Sequence, residues 1–259
     1  MDYSYEECEK YIKCNHNELL NYIKFDLHDN YFLKNLLSYC KDENILKHII
    51  DNAIDLECEN DEKWRPIHYI CQKSTPEMIK YIIDKGVNLE CEDIFKWRPI
   101  HLICKFSTPE MIHYIIDKGV DLECENNYKM RPIHCICEYL TPEMIKYIID
   151  KGVDLECEDE WGWKPIHYLC VCSIPEIIKY IIDKGVDIEC ETKYGRRPIY
   201  YICRYSTLEM IKYIIDKGVN LEFENDIYLN EKLLNEEKKK MIIYLNEKLL
   251  NEEKKKMID

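Results

Sequence analysis

A 33-residue period governs this chain. Pro66, Pro99, Pro132, Pro165 and Pro198 are each 33 residues apart, and so are Gly86, Gly119, Gly152, Gly185 and Gly218, and Cys71, Cys104, Cys137, Cys170 and Cys203. Five units follow one another without a gap from Asp61 to about Asn225. So short a unit cannot bury its own apolar surface, whereas stacked copies share a continuous core. A sixth, degenerate unit precedes them. Ile45–Asp51 aligns with Met78–Asp84, and Leu56-Glu57-Cys58-Glu59 with Leu89-Glu90-Cys91-Glu92, while Ala53 replaces the glycine and Leu33 the proline.

Each unit reads as helix, turn, helix, loop. Pro66 suits the first helical position, where a missing N–H costs nothing. Ile67, Ile70 and Cys71 then recur on one face at helical spacing. Thr75 is placed as the N-cap of a second helix, with Pro76 at N1 and Glu77 near its positive end. Met78, Ile79, Ile82 and Ile83 form a second apolar stripe, closed by Gly86 as a left-handed cap and Val87 as the apolar contact after it.

Composition narrows the function classes. The net charge of −14 opposes an electrostatic grip on phosphate backbones, so no nucleic-acid partner is expected. No apolar run reaches the roughly 20 residues needed to span a bilayer, and the acidic start, Met1 to Glu7, has no apolar signal core. The 15 cysteines are odd in number and follow no signal segment, which fits reduced thiols in the cytoplasm.

Arg65-Pro66-Ile67-His68 resembles the Thr-Pro-Leu-His motif of ankyrin repeats, and Asp84-Lys85-Gly86-Val87-Asn88-Leu89 resembles the family's Gly-Ala-Asp-Val segment. The likeness covers roughly residues 29 to 225. It implies an all-α ankyrin-repeat solenoid of stacked helix-turn-helix units with short loop or β-turn fingers. The expected organisation is a helical N-terminal cap over 1–28, a degenerate repeat over 29–60, repeats over 61–93, 94–126, 127–159, 160–192 and 193–225, and a duplicated charged helical tail over 226–259. The residue usage also resembles that of ankyrin proteins from large DNA viruses that infect amoebae, which implies a host-cytoplasm setting.

The chain departs from the family at three kinds of position. Arg65, Arg98, Arg131, Lys164 and Arg197 stand where the family has Thr, so the first helix loses a capping hydroxyl, a cost of about 1 kcal/mol if nothing replaces it. Lys63, Lys96 and Lys129 occupy a turn position where the family prefers glycine, which Gly162 and Gly195 keep. The family's paired alanines become Ile70-Cys71 and their equivalents.

Catalytic and cofactor motifs are missing from the sequence. All seven glycines belong to helix caps or loop turns and all nine prolines open repeat helices, so no phosphate-cradling loop, dinucleotide fingerprint or nucleophile elbow can be built. Metal is the sharpest alternative. His68/Cys71, His101/Cys104, His134/Cys137 and His167/Cys170 share helix faces at i, i+3, and Cys135/Cys137 and Cys170/Cys172 add Cys-x-Cys pairs. Each pair recurs one repeat away, however, and the resemblance gives the histidine a structural role between repeats. Neither metal nor cofactor is therefore expected. The Glu-Cys-Glu segments lack the ligand ladder of a calcium loop and read as solvated charged loops.

With a constant framework, specificity belongs to the positions that vary between copies. These are the loop before each first helix and the end of that helix, which the resemblance places on a concave partner-binding surface. The candidates are Trp64, Phe95, Trp97, Phe106, Tyr128, Met130, Tyr139, Trp161, Trp163, Tyr194, Arg196 and Tyr205. Aromatic residues and arginine are the enriched anchors of protein interfaces. The competing reading is that the tryptophans stack on neighbouring loops and only stiffen them. The expected function is a non-enzymatic, monomeric scaffold for one or more protein partners; a substrate adaptor that docks a ubiquitin-type machine through 1–28 or the tail is the alternative. The tail repeats residues 227–242 identically as 243–258. A 16-residue shift turns a helix by about 160°, so one straight helix cannot bury both apolar faces.

Overall fold

Proline opens nearly every described helix of this protein, and the amide it lacks has no intrahelical partner at that position. The computed structural model describes residues 43–52, 55–139, 141–172, 174–219 and 243, and among these it contains eleven α-helices and no strand. The chain divides into two units, residues 1–139 and 140–259. The first holds α1 (Glu43–Asn52), α2 (Pro66–Lys73), α3 (Pro76–Asp84), α4 (Pro99–Phe106), α5 (Pro109–Asp117) and α6 (Pro132–Tyr139). The second holds α7 (Pro142–Asp150), α8 (Pro165–Cys172), α9 (Pro175–Asp183), α10 (Pro198–Tyr205) and α11 (Leu208–Asp216).

Within each unit the helices form two layers. In the first, α2 packs on α4 and α4 on α6, while α1 packs on α3 and α3 on α5. In the second, α8 packs on α10 and α7 on α9. Hairpin contacts α2–α3, α4–α5, α8–α9 and α10–α11 join the layers. The degenerate unit supplies α1 as an outer-layer helix, with Leu46 and Ile50 buried.

The second helices match the expected pattern. Met78, Ile79, Ile82 and Ile83 of α3 are buried, and their opposite face is not. Thr75, Thr108, Thr141 and Thr207 cap these helices, each hydroxyl accepting the amide three residues on at 3.2–3.4 Å. Ile174 holds this position before α9 and makes no cap bond.

The first helices correct the sequence reading. In place of one buried stripe, Pro66 through Cys71 are all buried in α2, and Pro99 through Cys104 in α4. α2 meets α4 and α3, α4 meets α2, α6 and α5, and the histidine of each meets the next finger, so little of their surface faces water. The proposed cap over 1–28 and the tail over 226–259, Ile243 apart, lie outside the described residues, as does the side chain of Tyr139.

Candidate functional site

The variable loops are tight fingers hung on one buried polar residue. Asp93 is 5% exposed; its Oδ1 accepts the amides of Phe95 and Trp97, both at 2.8 Å, and its own amide donates to the Trp97 carbonyl at 3.1 Å. Asn60, Asn126 and Asp159 repeat this geometry with side-chain carbonyl or carboxylate oxygens, and Thr192 repeats it with its hydroxyl. The anchors went unnoticed in the sequence, although small polar residues at 60, 93, 126, 159 and 192 share the 33-residue period. Three residues after each anchor the backbone is left-handed. φ is +57° at Lys63, +59° at Lys96 and +54° at Lys129, against +73° at Gly162 and +68° at Gly195. Adjacent fingers share a backbone hydrogen bond: Ile94 N to Glu62 O at 3.0 Å and Asn127 N to Phe95 O at 2.8 Å in the first unit, Lys193 N to Trp161 O at 2.9 Å in the second.

The repeated histidine ties helix to finger. His101 is fully buried; its Nδ1 accepts the amide of Arg98 at 3.2 Å, which leaves Nε2–H to donate to the Met130 carbonyl at 3.1 Å. His68 bridges Arg65 N and the Trp97 carbonyl in the same way, at 3.0 and 3.3 Å. Burial lowers the imidazole pKa, to about 4 at His101 and at His167, outweighing the hydrogen bonds that favour the charged form. Both ring nitrogens of His68 and His101 are thus committed to backbone groups. Among the described residues no group of three or more His, Cys, Asp or Glu is placed to hold a metal ion. The described cysteines are free thiols. Burial pushes Cys91, Cys124 and Cys190 up to about 12, and Cys71, Cys104 and Cys170 well above their ordinary value, so these thiols stay protonated and unreactive.

The cationic residue in place of the family's threonine has its own role. The Arg98 guanidinium grips Glu90 at 2.5 Å and Glu92 at 2.8 Å, and Arg65 grips Glu57 and Glu59. Lys164–Glu156 at 2.9 Å and Arg197–Glu189 at 2.6 Å follow the same plan. The glutamate then reaches onward: Glu57 Oε1 accepts the amide of Asn88 at 2.9 Å, and Glu156 Oε1 that of Asp187 at 2.9 Å. The Glu-Cys-Glu loops are therefore clasps rather than freely solvated charge. The Glu-x-Glu segment and the basic residue six and eight positions later thus act as one device. The lost cap is also partly made good, since the His68 amide donates to the Arg65 carbonyl at 2.9 Å. On the outer layer Tyr114 and Lys118 both donate to Asp84, and Tyr213 and Lys217 to Asp183.

The candidate residues fall into two classes. Trp64, Trp97 and Trp163 are half-buried. Trp64 lies 4.9 Å from the Tyr69 ring and donates its Nε1–H to Asp93 Oδ2 at 3.0 Å; Trp97 lies 5.7 Å from His101, and Trp163 4.9 Å from Tyr201. Phe95, Phe106, Trp161, Tyr194 and Tyr205 stand out from the surface, 46, 50, 40, 69 and 44% exposed. Arg196 is also exposed and lies over the Tyr200 ring at 5.1 Å. Tyr128 and Met130 are half-buried, Tyr128 stacked on Phe95 at 6.3 Å. In the first unit Trp64, Phe95, Trp97 and Phe106 converge on a recess of about 250 Å³, with Asp93 and Lys105 in its lining. The Lys105 ammonium sits 5.5 Å from the ring centres of both Trp97 and Phe106. Among the described residues no helix is long and apolar enough to cross a membrane.

Comparison with known proteins places this geometry. The family described as ankyrin repeats (3 copies) matches residues 35–126, 100–192 and 133–225, overlapping spans that run together from 35 to 225. Among solved structures, the ankyrin repeat domain of human ASB11 superposes with a TM-score of 0.64 at 16% identity, over 74% of this chain and 86% of that one. No curated protein matches. At that identity the structural likeness speaks for the fold alone. The family match covers well over half the chain and agrees with the period, the capped helix pairs and the histidine bridge: the chain belongs to the ankyrin-repeat family.

Proposed function

We propose that this chain is a non-enzymatic scaffold that binds protein partners through its finger tips and first-helix ends. One observation carries the reading. Among the described residues of the repeats, the large hydrophobic side chains that stand exposed are Ile94, Phe95, Phe106, Trp161, Tyr194 and Tyr205, and all six lie in fingers or at the ends of first helices. Exposed apolar side chains confined to one kind of position mark a contact surface rather than random scatter. Ankyrin repeats in general mediate protein–protein interaction. Each unit supplies its own patch, Phe95 and Phe106 in the first, Trp161, Tyr194 and Tyr205 in the second. The free, buried, high-pKa thiols suit a reducing cytoplasm. A monomer is the expected working form.

Affinity capture with the full chain, followed by mass spectrometry, identifies the partner; variants then locate the contact. Phe95→Ala and Phe106→Ala, or Trp161→Ala and Tyr194→Ala, should leave helicity and melting temperature nearly unchanged while weakening the partner by about 2 kcal/mol or more per anchor. Full affinity in all four variants sinks the reading.

A further inference from the structure

The fingers are not equivalent, and one recess differs from the rest in chemistry. Trp64 and Trp97 are the two tryptophans that stand in consecutive fingers of the first unit, and Phe106 extends the aromatic lining outward. Two carboxylates, Glu62 and Asp93, share that lining. Indole and phenyl faces carry negative quadrupole potential and hold ammonium groups within about 6 Å of the ring centre. The protein already uses this property: the Lys105 ammonium lies at 5.5 Å from both Trp97 and Phe106.

The other positions lack the combination. One repeat on, Asn126 replaces the carboxylate of Asp93, and Met130 replaces the indole of Trp97. In the second unit Asp159 and Trp163 keep the carboxylate and the indole in one finger, but Thr192 and Arg196 replace them in the next, with the Arg196 guanidinium over Tyr200 and the Arg204 guanidinium over Tyr205. There the chain supplies the cations itself. In the first unit the lining holds two carboxylates against the single ammonium of Lys105, on a chain of net charge −14 that steers basic partners toward it.

We propose that the Trp64–Trp97–Phe106 recess receives the ammonium of a lysine side chain from a basic segment of the partner protein, with Lys105 as its resident stand-in. The incoming alkyl stem lies against Leu102 and the rings, and its charge faces Glu62 and Asp93. Lys105 swings outward to make room, so the recess remains filled by an ammonium with and without the partner. This rests on the scaffold reading given above and names the chemistry of its contact in the first unit.

The test uses the full chain and a probe that copies the lysine side chain from Cβ outward, n-butylammonium chloride. Indole N–H resonances of the four tryptophans are followed by two-dimensional NMR at constant ionic strength. The Trp64 and Trp97 signals should move saturably, and those of Trp161 and Trp163 should not. Neutral 1-pentanol, of similar size and shape, should bind at least threefold more weakly. Glu62→Gln should weaken butylammonium at least threefold, and Lys105→Met, which keeps the stem and removes the resident charge, should tighten it at least threefold. Saturable binding seen only in Lys105→Met also supports the proposal, because the resident lysine is then the competitor. Equal binding of pentanol, binding of tetramethylammonium in place of butylammonium, equal movement of all four indoles, or no saturable shift in either protein overturns it. The two readings fail separately: a partner still lost on Phe95→Ala and Phe106→Ala, with butylammonium ignored, refutes the ligand and leaves the surface intact, whereas butylammonium bound and the partner unaffected by both variants refutes the surface.

Discussion

The two units build the same finger turn from different residues. In the first, Lys63, Lys96 and Lys129 hold a side chain at positive φ, a conformation that costs an L-residue roughly 1–2 kcal/mol. In the second, Gly162 and Gly195 adopt it freely. The turn therefore does not depend on glycine. It is imposed by the buried anchor, whose single oxygen draws in two amides, and the anchor holds a lysine there against its preference. Nor are the two glycines alike. A Cβ on Gly162 would stand 2.9 Å from the backbone nitrogen of Lys193, whereas one on Gly195 would meet nothing within 4 Å.

Acid should test what the lysine and glycine fingers share, and with the largest effect. His101 in one unit and His167 in the other titrate near 4 when folded, against an ordinary 6.5, because burial disfavours the imidazolium. Below 6.5 the unfolded chain binds more protons, so the stability these groups confer is complete above pH 6.5 and is lost as pH falls toward 4. The loss should reach on the order of 3 kcal/mol per histidine. Asp84, Asp150 and Asp183, held below 3.8 by tyrosine and lysine donors, keep their stabilising contribution through most of that window and lose it below it. A thermal melt that stays flat from pH 7 to 4 would contradict the histidine bridge in both units.

Substitution at the turn separates the fingers. Gly162→Lys meets both strain and collision and should lose more than about 2 kcal/mol in chemical denaturation. Gly195→Lys meets strain alone and should lose about 1 kcal/mol. Equal losses would show that the approach of Lys193 is unimportant. The smallest effect runs the other way: Lys96→Gly should gain a few tenths to about 1 kcal/mol, as strain relief is partly offset by the freer unfolded chain. A loss on Lys96→Gly would mean that the lysine stem, not the anchor, supports the turn.

Much of the fold was legible because periodicity fixes the array before any side chain is considered. The nine prolines and the threonine caps sit where spacing put them, since helix starts obey local rules. The candidate residues were named in the sequence, but their exposure was not. The finger sequences do not separate Phe95, which points outward, from Trp97, which turns back over His101; that choice is made at Lys96, where positive φ reverses the chain between them. The Arg98–Glu90 and Arg98–Glu92 clasp was missed for a similar reason. Its partners lie eight and six residues apart across a loop, beyond the i, i+3 and i, i+4 reach of helix pairs, so the arginine stood as a departure from the family and the glutamates as solvated loop charge.

The bonds that join one repeat to the next are short-ranged along the chain: 29 residues from His101 to Met130, 30 from Tyr114 to Asp84, 34 from Lys118 to Asp84. Each reaches only the adjacent copy, and the copies bring the same partners except at Tyr200, which stands where the others have the bridging histidine. If recombination removed residues 94–126 in one step, Asp84 would find Tyr147 and Lys151 in place of Tyr114 and Lys118, and the core would be rejoined without a new residue type. The finger order would change, with Tyr128 following Trp64 where Phe95 had stood. Gene rearrangement in steps of one repeat can thus reshuffle what the protein recognises while leaving intact how it folds.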